Sequence, residues 1–209
     1  MKYITTIKNI LKYNKRTNAE MHKEWETHQN YIKTLQEDYK LTNPSRLAIG
    51  LVKPNSRVLS CGCGAGREVK YLVSIGCEVV AIDNSLKMLK LSKMNEPNAF
   101  YKLVDMITYK EEKRFDYIIC LWNTINHLKD LEERKQFIKT CKYNLKDGGN
   151  LIIITKHKYT NIASFVRSVL SNKDYYFSPK QIDYWFKNMS MVVSKVNIAN
   201  NVLIVGEKQ

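Results

Sequence analysis

Residues 57–83 read RVLSCGCGAGREVKYLVSIGCEVVAID, and this stretch decides the fold. A short apolar run enters a loop with glycines at Gly62, Gly64 and Gly66; a helix-compatible segment follows, and a second apolar run ends at Asp83. Glycines let a backbone turn sharply and approach a ligand closely, and a helix N-terminus offers unpaired N–H groups. An acid about 20 residues after such a loop can accept hydrogen bonds from ribose hydroxyls. The stretch therefore predicts a strand, a ligand-binding loop, a helix and a second strand that ends in an acid.

The spacing of the glycines distinguishes two kinds of nucleotide cofactor. A dinucleotide-binding loop has the pattern G-x-G-x-x-G or G-x-G-x-x-A, in which the third small residue lets the helix pack on the strand. Here the pattern is G-x-G-x-G, and Arg67 occupies the position of that third small residue. The segment Cys61–Arg67 resembles the first motif of the class I S-adenosylmethionine (SAM)-dependent methyltransferases, and Asp83 resembles the acid of their second strand. The resemblance implies an enzyme, a methyltransferase, with SAM as its cofactor.

The resemblance also implies which residues bind the cofactor. In the family, an acid after the third strand bonds the adenine amino group and a neighbouring apolar side chain packs on the ring. Asp105 and Met106 occupy those positions. The full predicted set is Ser60, Gly62, Cys63, Gly64, Arg67, Asp83, Asn84, Met88, Asp105, Met106 and Leu121.

Ser60 is a departure from the family pattern. The family usually has Asp or Glu at this position, two residues before Gly62, where the carboxylate organises the loop and the amino-acid end of the cofactor. A serine cannot supply that charge, so we expect either weaker cofactor binding or binding of that end by Arg67 and backbone groups. The departure also leaves an alternative interpretation, in which the domain is a degenerate module that binds SAM without catalysing a reaction.

The segment Trp122–Leu128 follows the predicted fourth strand, and open α/β sheets bind ligands beyond the carboxyl ends of their strands. Its sequence, WNTINHL, resembles that of small-molecule N-methyltransferases of the glycine and aminosugar types. Asn123 and His127 are the candidate catalytic residues: Asn123 to orient an acceptor amine, and His127 to act as a base. The alternative for His127 is a histidine packed at a helix start and bonded to backbone. Methyl transfer from a sulfonium is an in-line displacement, so the protein mainly positions the acceptor and requires no metal.

The remaining pattern predicts an α/β fold. The resemblance implies a doubly wound, seven-stranded, mostly parallel sheet with helices on both faces. Two terminal apolar runs joined by a short polar break predict an antiparallel hairpin. The predicted strands are residues 58–59, 79–82, 100–104, 115–121, 150–155, 191–196 and 202–205, and the predicted helices are residues 67–74, 85–94, 130–145 and 180–187.

Two domains are predicted, an N-terminal helical cap over residues 1–55 and a SAM-binding domain over residues 56–209. A long helix is expected from Thr17 or Asn18 to Lys40. Trp25, Tyr31 and Tyr39 are candidates for a lid over the cofactor, or for an amphipathic face packed on the sheet.

The composition of the chain limits the kinds of molecule that we expect it to bind. The chain has 209 residues and a net charge of +14, but its lysines are dispersed and form no block, so nucleic acid is possible without being required. No apolar run approaches the roughly 20 residues of a membrane helix, and no signal peptide is recognised. Five cysteines with no zinc pattern are expected to be reduced, which predicts a cytoplasmic location. A small-molecule acceptor is favoured; RNA and protein acceptors remain alternatives, and the oligomeric state is unknown.

Overall fold

The computed structural model describes residues 41–156, 184, 186, 187, 191–198 and 201–209. The helices are α1 (Asn43–Gly50), α2 (Arg67–Ser74), α3 (Leu86–Asn95), a 3₁₀ helix (Thr124–His127) and α4 (Leu131–Asn144). The strands are β1 (Arg57–Cys61), β2 (Glu78–Asp83), β3 (Phe100–Leu103), β4 (Phe115–Cys120), β5 (Leu145–Lys156), β6 (Met191–Ile198) and β7 (Asn201–Lys208). The helix predicted up to Lys40, its lid candidates and most of the helix predicted over 180–187 lie outside these residues.

The strands form one seven-stranded sheet in the order β3-β2-β1-β4-β5-β7-β6. β3, β2, β1, β4 and β5 pair in parallel, whereas β7 runs antiparallel to both β5 and β6. The predicted mostly parallel sheet with a C-terminal antiparallel hairpin is confirmed. The strand order reverses direction between β1 and β4, and ligands bind at such a switch point in open α/β sheets.

Both faces of the sheet are buried, which is why its strands have continuous apolar runs. Leu59 and Cys61 of β1 face a cluster that includes Phe137, Ile138 and Cys141 of α4. Val58 of β1 faces the opposite cluster, which helices α1, α2 and α3 supply. The members of that second cluster on the helices are Ala48, Ile49, Val69, Leu72 and Leu89. This alternation makes the sheet doubly wound, as the sequence predicted.

Two of the predicted helix starts have side-chain caps. The Ser85 hydroxyl accepts a hydrogen bond from the N–H of Met88 at 3.3 Å, and the Asp130 carboxylate accepts one from the N–H of Glu133 at 2.9 Å. Such caps satisfy N–H groups that the first turn of a helix leaves unpaired. The caps place the starts of α3 and α4 within a residue of the predicted positions.

The start of β5 differs from the prediction. The sequence predicted a turn over Lys146–Gly149 with a strand from Asn150, whereas β5 runs from Leu145 to Lys156. Leu145 pairs with Phe115 and the next pair joins Asn150 to Tyr117, so four residues of β5 oppose a single residue of β4. The two glycines therefore mark a bulge within the strand.

Helix α1 packs into the core of the sheet. Its Ala48 and Ile49, with Val52 just beyond it, belong to the same apolar cluster as Val58 of β1. The predicted helical cap over residues 1–55 overlaps the described chain only in 41–55, and that part is continuous with the core. In the described part, no helix is both long and apolar enough to cross a membrane.

Candidate functional site

The loop between β1 and α2 folds across the end of β2. The N–H of Cys63 donates to the carbonyl of Ile82 at 3.1 Å, and the N–H of Gly64 donates to Asp83 Oδ2 at 2.9 Å. The backbone has positive φ at Gly62, Gly64 and Gly66, with values of 63°, 53° and 86°. Residues with a Cβ adopt this region at a cost, so the three glycines allow the loop to take this path.

Asp83 connects the glycine loop to the next helix. Its side chain is 7% exposed, and while Oδ2 accepts from Gly64, Oδ1 accepts from the N–H of Ser85 at 2.9 Å. These two backbone bonds fix the orientation of the Asp83 carboxylate.

A cleft of about 360 Å³ opens beside this loop, which is within the size range of small-ligand sites. It lies at the carboxyl ends of β1, β2 and β3, with the 3₁₀ helix and the start of α4 on its other side. Six of the predicted site residues line it: Gly62, Asp83, Asn84, Asp105, Met106 and His127. The structure thus brings together residues from four segments that are far apart in the chain.

The other predicted residues lie around the cleft without lining it. Ser60 is buried within β1, between Ala81 of β2 and Ile119 of β4. Three of the predicted cofactor-binding residues are buried and apolar: Cys63, Met88 and Leu121. Gly64 contributes the N–H that reaches Asp83, and Arg67 and Asn123 are half-buried near the loop after β4.

Cys63 is a neutral thiol in this position. Burial and the nearby carboxylate of Asp83 raise the pKa of the Cys63 thiol well above its ordinary value. Because the thiolate is the reactive form, Cys63 does not act as a nucleophile at neutral pH. All five cysteines are free and buried.

Asp105 lies at the exposed end of the cleft. Its Oδ1 accepts a hydrogen bond from the N–H of Ile107 at 2.8 Å, and its carbonyl accepts from the N–H groups of Thr108 and Tyr109 at 3.2 Å each. This turn holds the exposed carboxylate beside Met106. An acid and an apolar side chain therefore lie next to each other at this end of the cleft.

The loop after β4 closes the opposite side of the cleft. Trp122 and Asn123 have φ values of 56° and 63°, and the 3₁₀ helix Thr124–His127 follows them. The Thr124 methyl group packs so closely on Gly62 that a Cβ added there would lie 2.2 Å from it. The loop after β4 and the glycine loop are therefore in direct contact.

Several lining residues were not predicted: Ile82, Val104, Ile107, Thr124, Leu128, Lys129 and Glu133. The pattern Asp130-x-x-Glu133 could have indicated Glu133, since it is the signature of a capping box. Glu133 Oε2 accepts from the N–H of Lys129 at 2.7 Å, and its Oε1 lies 3.4 Å from Lys129 Nζ. Thr124 and Leu128 have no such signal, because their contacts depend on the path of the loop.

Part of the chain matches a known protein family. Residues 59–153 match the family described as a methyltransferase domain, a range that spans the glycine loop and β1 to β5. These residues are therefore similar to a methyltransferase domain over a little less than half of the chain. SAM is the cofactor of this family.

Two curated methyltransferases share part of the domain. The ubiquinone biosynthesis O-methyltransferase of Xanthomonas campestris pv. campestris (strain B100) is 26% identical over 132 residues, which are 59% of this chain and 54% of that protein. The glycine N-methyltransferase of Oryctolagus cuniculus is 32% identical over 138 residues, 56% of this chain and 46% of that protein. The chain therefore matches about half the length of these relatives.

Solved methyltransferase structures share the fold. N-methyltransferase NodS from Bradyrhizobium japonicum WM9, in complex with S-adenosyl-L-homocysteine, aligns with a TM-score of 0.74 at 12% identity over 92% of this chain and 99% of that one. A TehB-like SAM-dependent methyltransferase from Corynebacterium glutamicum aligns with a TM-score of 0.68 at 16% identity over 87% of this chain and 95% of that one. At these identities, the likeness shows the methyltransferase fold and not the acceptor.

Proposed function

We propose that this protein transfers a methyl group from SAM to a small-molecule acceptor, with an amine nitrogen as the first candidate. One observation carries the proposal: a single cleft joins the glycine loop, Asp83 and Asp105 to the Thr124–His127 turn. The first three features suit a nucleoside cofactor, and the turn suits an acceptor that must meet the methyl group.

The described residues fit SAM. Gly62 lines the cleft and has no side chain, so a ligand there would contact its backbone. Asp83 would accept the ribose hydroxyls, while Asp105 and Met106 would contact the adenine. Ser60 offers no charge to the amino-acid end, which leaves loop N–H groups to bind that end, with Arg67 next to the loop but outside the lining of the cleft.

Methyl transfer from SAM mainly requires that the protein position the acceptor correctly. SAM, when bound, supplies a methyl group on a positively charged sulfur that needs no further activation. The Thr124–His127 turn would orient the acceptor in line with that methyl group and exclude water. An amine attacks only in its neutral form, and His127 is the side chain in the cleft suited to take its proton. Asn123, at the start of the turn, would orient the acceptor.

The charge of the cleft favours a small and cationic or neutral acceptor over RNA. Among the described residues that line it, Asp83, Asp105 and Glu133 are acids and Lys129 is a lysine, although the whole chain carries +14. A nucleic acid requires basic residues along its approach to the reacting atom. Acids at this position attract an ammonium group and repel phosphates.

The cofactor is tested by titration calorimetry with SAM and with NAD. We expect SAM to bind and NAD to bind more weakly or not at all. The cofactor assignment is contradicted if NAD binds more tightly than SAM, or if SAM does not bind at a concentration of about 1 mM.

The acceptor is tested with SAM labelled in its methyl group, incubated separately with glycine, with a small-molecule extract, with total RNA and with a protein extract. We expect label in small molecules and no steep salt dependence. Label in RNA, with binding that falls steeply between low and moderate salt, would instead support an RNA methyltransferase. Binding of SAM with no label in any fraction would support the non-catalytic module that Ser60 keeps open.

A further inference from the structure

Glu68 is a buried carboxylate in the first turn of α2, directly after Arg67. The Glu68 residue is 8% exposed, and its Oε1 accepts three hydrogen bonds: from Ser45 Oγ at 2.7 Å, from Trp122 Nε1 at 2.9 Å and from Arg67 Nε at 3.0 Å. A buried carboxylate is costly unless donors surround it. Here the donors come from α1, from α2 and from the loop after β4. We call Ser45, Arg67, Glu68 and Trp122 the Glu68 cluster.

Within the Glu68 cluster, the Trp122 ring is held at its edge and on its face. Its Nε1 lies 2.8 Å from Ser45 Oγ and 2.9 Å from Glu68 Oε1, and the Arg67 guanidinium lies 4.9 Å from the ring centroid. A guanidinium within about 6 Å of an indole face is attracted to it. The orientation of the indole is therefore defined by three other members of the cluster.

The backbone beyond this ring is in an uncommon conformation. Trp122 and Asn123 both have positive φ, which residues with a side chain adopt rarely, and two in succession more rarely still. Asn123 N–H donates to the carbonyl of Ile154 at 3.1 Å and so ties the loop to β5. The turn that follows contains Thr124 and His127, which line the cleft. A change in the indole position would move this turn.

An alternative role for Glu68 is simple stabilisation of α2, since an acid in a first turn interacts favourably with the helix dipole. That role needs neither burial nor partners outside the helix. Glu68 instead accepts from Ser45, 23 residues before it, and from Trp122, 54 residues after it. These contacts point away from α2 and toward the loop.

We propose that Glu68 is a positioning residue: by accepting the Trp122 indole N–H it holds the loop after β4 in its left-handed conformation and sets Thr124 and His127 at the cleft. The effect on methyl transfer rests on the proposed function, whereas the effect on the loop does not. Glu68 itself does not line the cleft.

The test compares three variants of the full chain by ¹H–¹⁵N NMR in the presence and absence of SAM. Glu68→Gln keeps an oxygen that can accept the indole N–H, Glu68→Leu removes it, and Trp122→Phe removes the donor while keeping a ring. The control is Glu96→Leu, which removes another buried carboxylate whose Oε1 accepts from the N–H of Asn98 instead of from the loop. The probes are the Trp122 indole N–H and the amides of Thr124 and His127.

We expect the Thr124 and His127 amides to shift or broaden in Glu68→Leu and in Trp122→Phe, with the β1 and β4 amides unchanged. They keep their wild-type positions in Glu68→Gln and in Glu96→Leu. Loop amides that stay in place in both Glu68→Leu and Trp122→Phe overturn the proposal, as does an equal disturbance in Glu68→Gln. If Glu68→Leu does not fold, Trp122→Phe is compared with Ser45→Ala, which removes the other acceptor of the indole N–H. Disturbed loop amides in Trp122→Phe but not in Ser45→Ala support the role of Glu68, and an equal disturbance in the two variants overturns it.

A second measurement separates this proposal from the proposed function. For whichever fraction accepts label from SAM, transfer by Glu68→Leu should fall on the order of tenfold to a hundredfold, as expected when reacting groups are misplaced, and Glu68→Gln should restore it. Calorimetry should find that SAM still binds Glu68→Leu. If wild type fails to bind SAM, the proposed function fails while the NMR result still stands. If wild type transfers label and Glu68→Leu transfers it equally well, the positioning role fails alone.

Discussion

Gly62 lies where the glycine loop meets the loop after β4, so a single methyl group at this position should disturb both. Its φ is +63°, and a Cβ would lie 2.2 Å from the Thr124 methyl carbon. We expect Gly62→Ala to lose about 1–3 kcal/mol of unfolding free energy from backbone strain, and more from the displaced threonine. Urea unfolding and SAM calorimetry measure the two effects.

Two other glycines separate strain from contact in this experiment. Gly148 has a φ of +74° with nothing within 4 Å of an added Cβ, and Gly50 has open space and no positive φ. Gly148→Ala should therefore show strain alone and Gly50→Ala neither effect, and both should keep wild-type SAM affinity. Adding Thr124→Ser to Gly62→Ala removes the clashing methyl carbon and should recover part of the loss. Equal losses in Gly62→Ala and Gly148→Ala would show that Thr124 moves aside without cost.

Asp83 accepts two backbone N–H groups and, under the proposed function, the ribose of SAM. In Asp83→Asn one oxygen becomes an amide that cannot accept, so either Gly64 or Ser85 loses its partner. Loss of a charged hydrogen bond costs about 1.5–3 kcal/mol, so SAM affinity should fall about 10- to 150-fold.

Asp116 offers a matched control for that substitution. It lies in β4, and its Oδ2 accepts from the N–H of Arg57 at 2.8 Å, so Asp116→Asn also removes an acceptor from a backbone N–H. We expect Asp116→Asn to lose stability and keep its SAM affinity. An unchanged SAM affinity in Asp83→Asn would mean that Asp83 has a structural role only.

At the scale of elements, Asn144 connects the end of α4 to the segment between β3 and β4. It is fully buried; its Nδ2 donates to the carbonyls of Tyr109 at 2.7 Å and Thr140 at 2.9 Å, and its Oδ1 accepts from the N–H of Glu111 at 3.0 Å. Asn144→Leu has a similar volume but leaves these groups unpaired.

Each buried unpaired group costs about 1–3 kcal/mol, so we expect Asn144→Leu to lose about 2–5 kcal/mol of unfolding free energy in urea. Asn150→Leu is the control, because the Asn150 amide makes an exposed bond to the carbonyl of Gly148 at 3.2 Å. Losses of the same size in the two variants would contradict this role of Asn144.

The elements that could be predicted from the sequence are those with local signals. α2 lies between a glycine loop and Gly76, while α3 and α4 have caps at Ser85 and Asp130, so their bounds follow from neighbouring residues. The bulge in β5 could not be predicted, because Lys146–Gly149 has the composition of a turn. Whether such a turn ends a strand or bulges out of it depends on the register of β4.

The cleft could be predicted only in part, because only some of its lining residues lie next to strand ends. Gly62, Asp83 and Asp105 lie at a strand end or within two residues of it, so the parallel sheet brings them to one edge whatever the loops do. Thr124 and Glu133 reach the cleft through the fold of a loop and a helix start. Glu68 has the pattern of an ordinary helix acid, and its partners are 23 and 54 residues away.

At the scale of the whole molecule, the two ends of the sheet differ in character. The carboxyl ends of the strands hold the cleft, and the opposite end holds a network of ion pairs centred on Arg57 at the start of β1. Arg57 Nε lies 2.8 Å from Glu78 Oε1, and its guanidinium lies 4.1 Å from the Phe115 ring centroid. The network also contains the pairs Arg57–Glu111, Lys113–Glu78, Lys102–Glu111 and Lys146–Asp116.

Three carboxyl groups of this network have pKa values below their ordinary values. Hydrogen bonds from Lys113 and then Arg57 lower the pKa of Glu78. Burial by itself would raise the pKa of Glu111 and of Asp116. Hydrogen bonds from Tyr109, Arg57 and Lys102 outweigh it for Glu111, and those from Lys146 and the Arg57 backbone do so for Asp116.

These directions fix the sign of a pH dependence. A carboxyl group whose pKa is lower in the folded state binds fewer protons there than in the unfolded chain, so it stabilises the fold above its unfolded pKa. Unfolded Asp and Glu titrate at about 4, so the contribution should be complete above about pH 5 and disappear as pH falls through the lower folded values. Urea unfolding at pH 7, 5, 4 and 3 should show a plateau and then a steep loss.

The triple variant Glu78→Gln, Glu111→Gln, Asp116→Asn tests whether this network causes the loss. We expect it to be less stable than wild type at pH 7 but to lose less between pH 5 and pH 3, because its groups cannot take up protons. The control is Glu132→Gln, whose side chain is 79% exposed and should leave the acid slope unchanged. A triple variant with the wild-type slope would assign acid sensitivity to other carboxyl groups. SAM affinity at pH 7 should be the same in all three proteins, since the network lies at the end of the sheet away from the cleft.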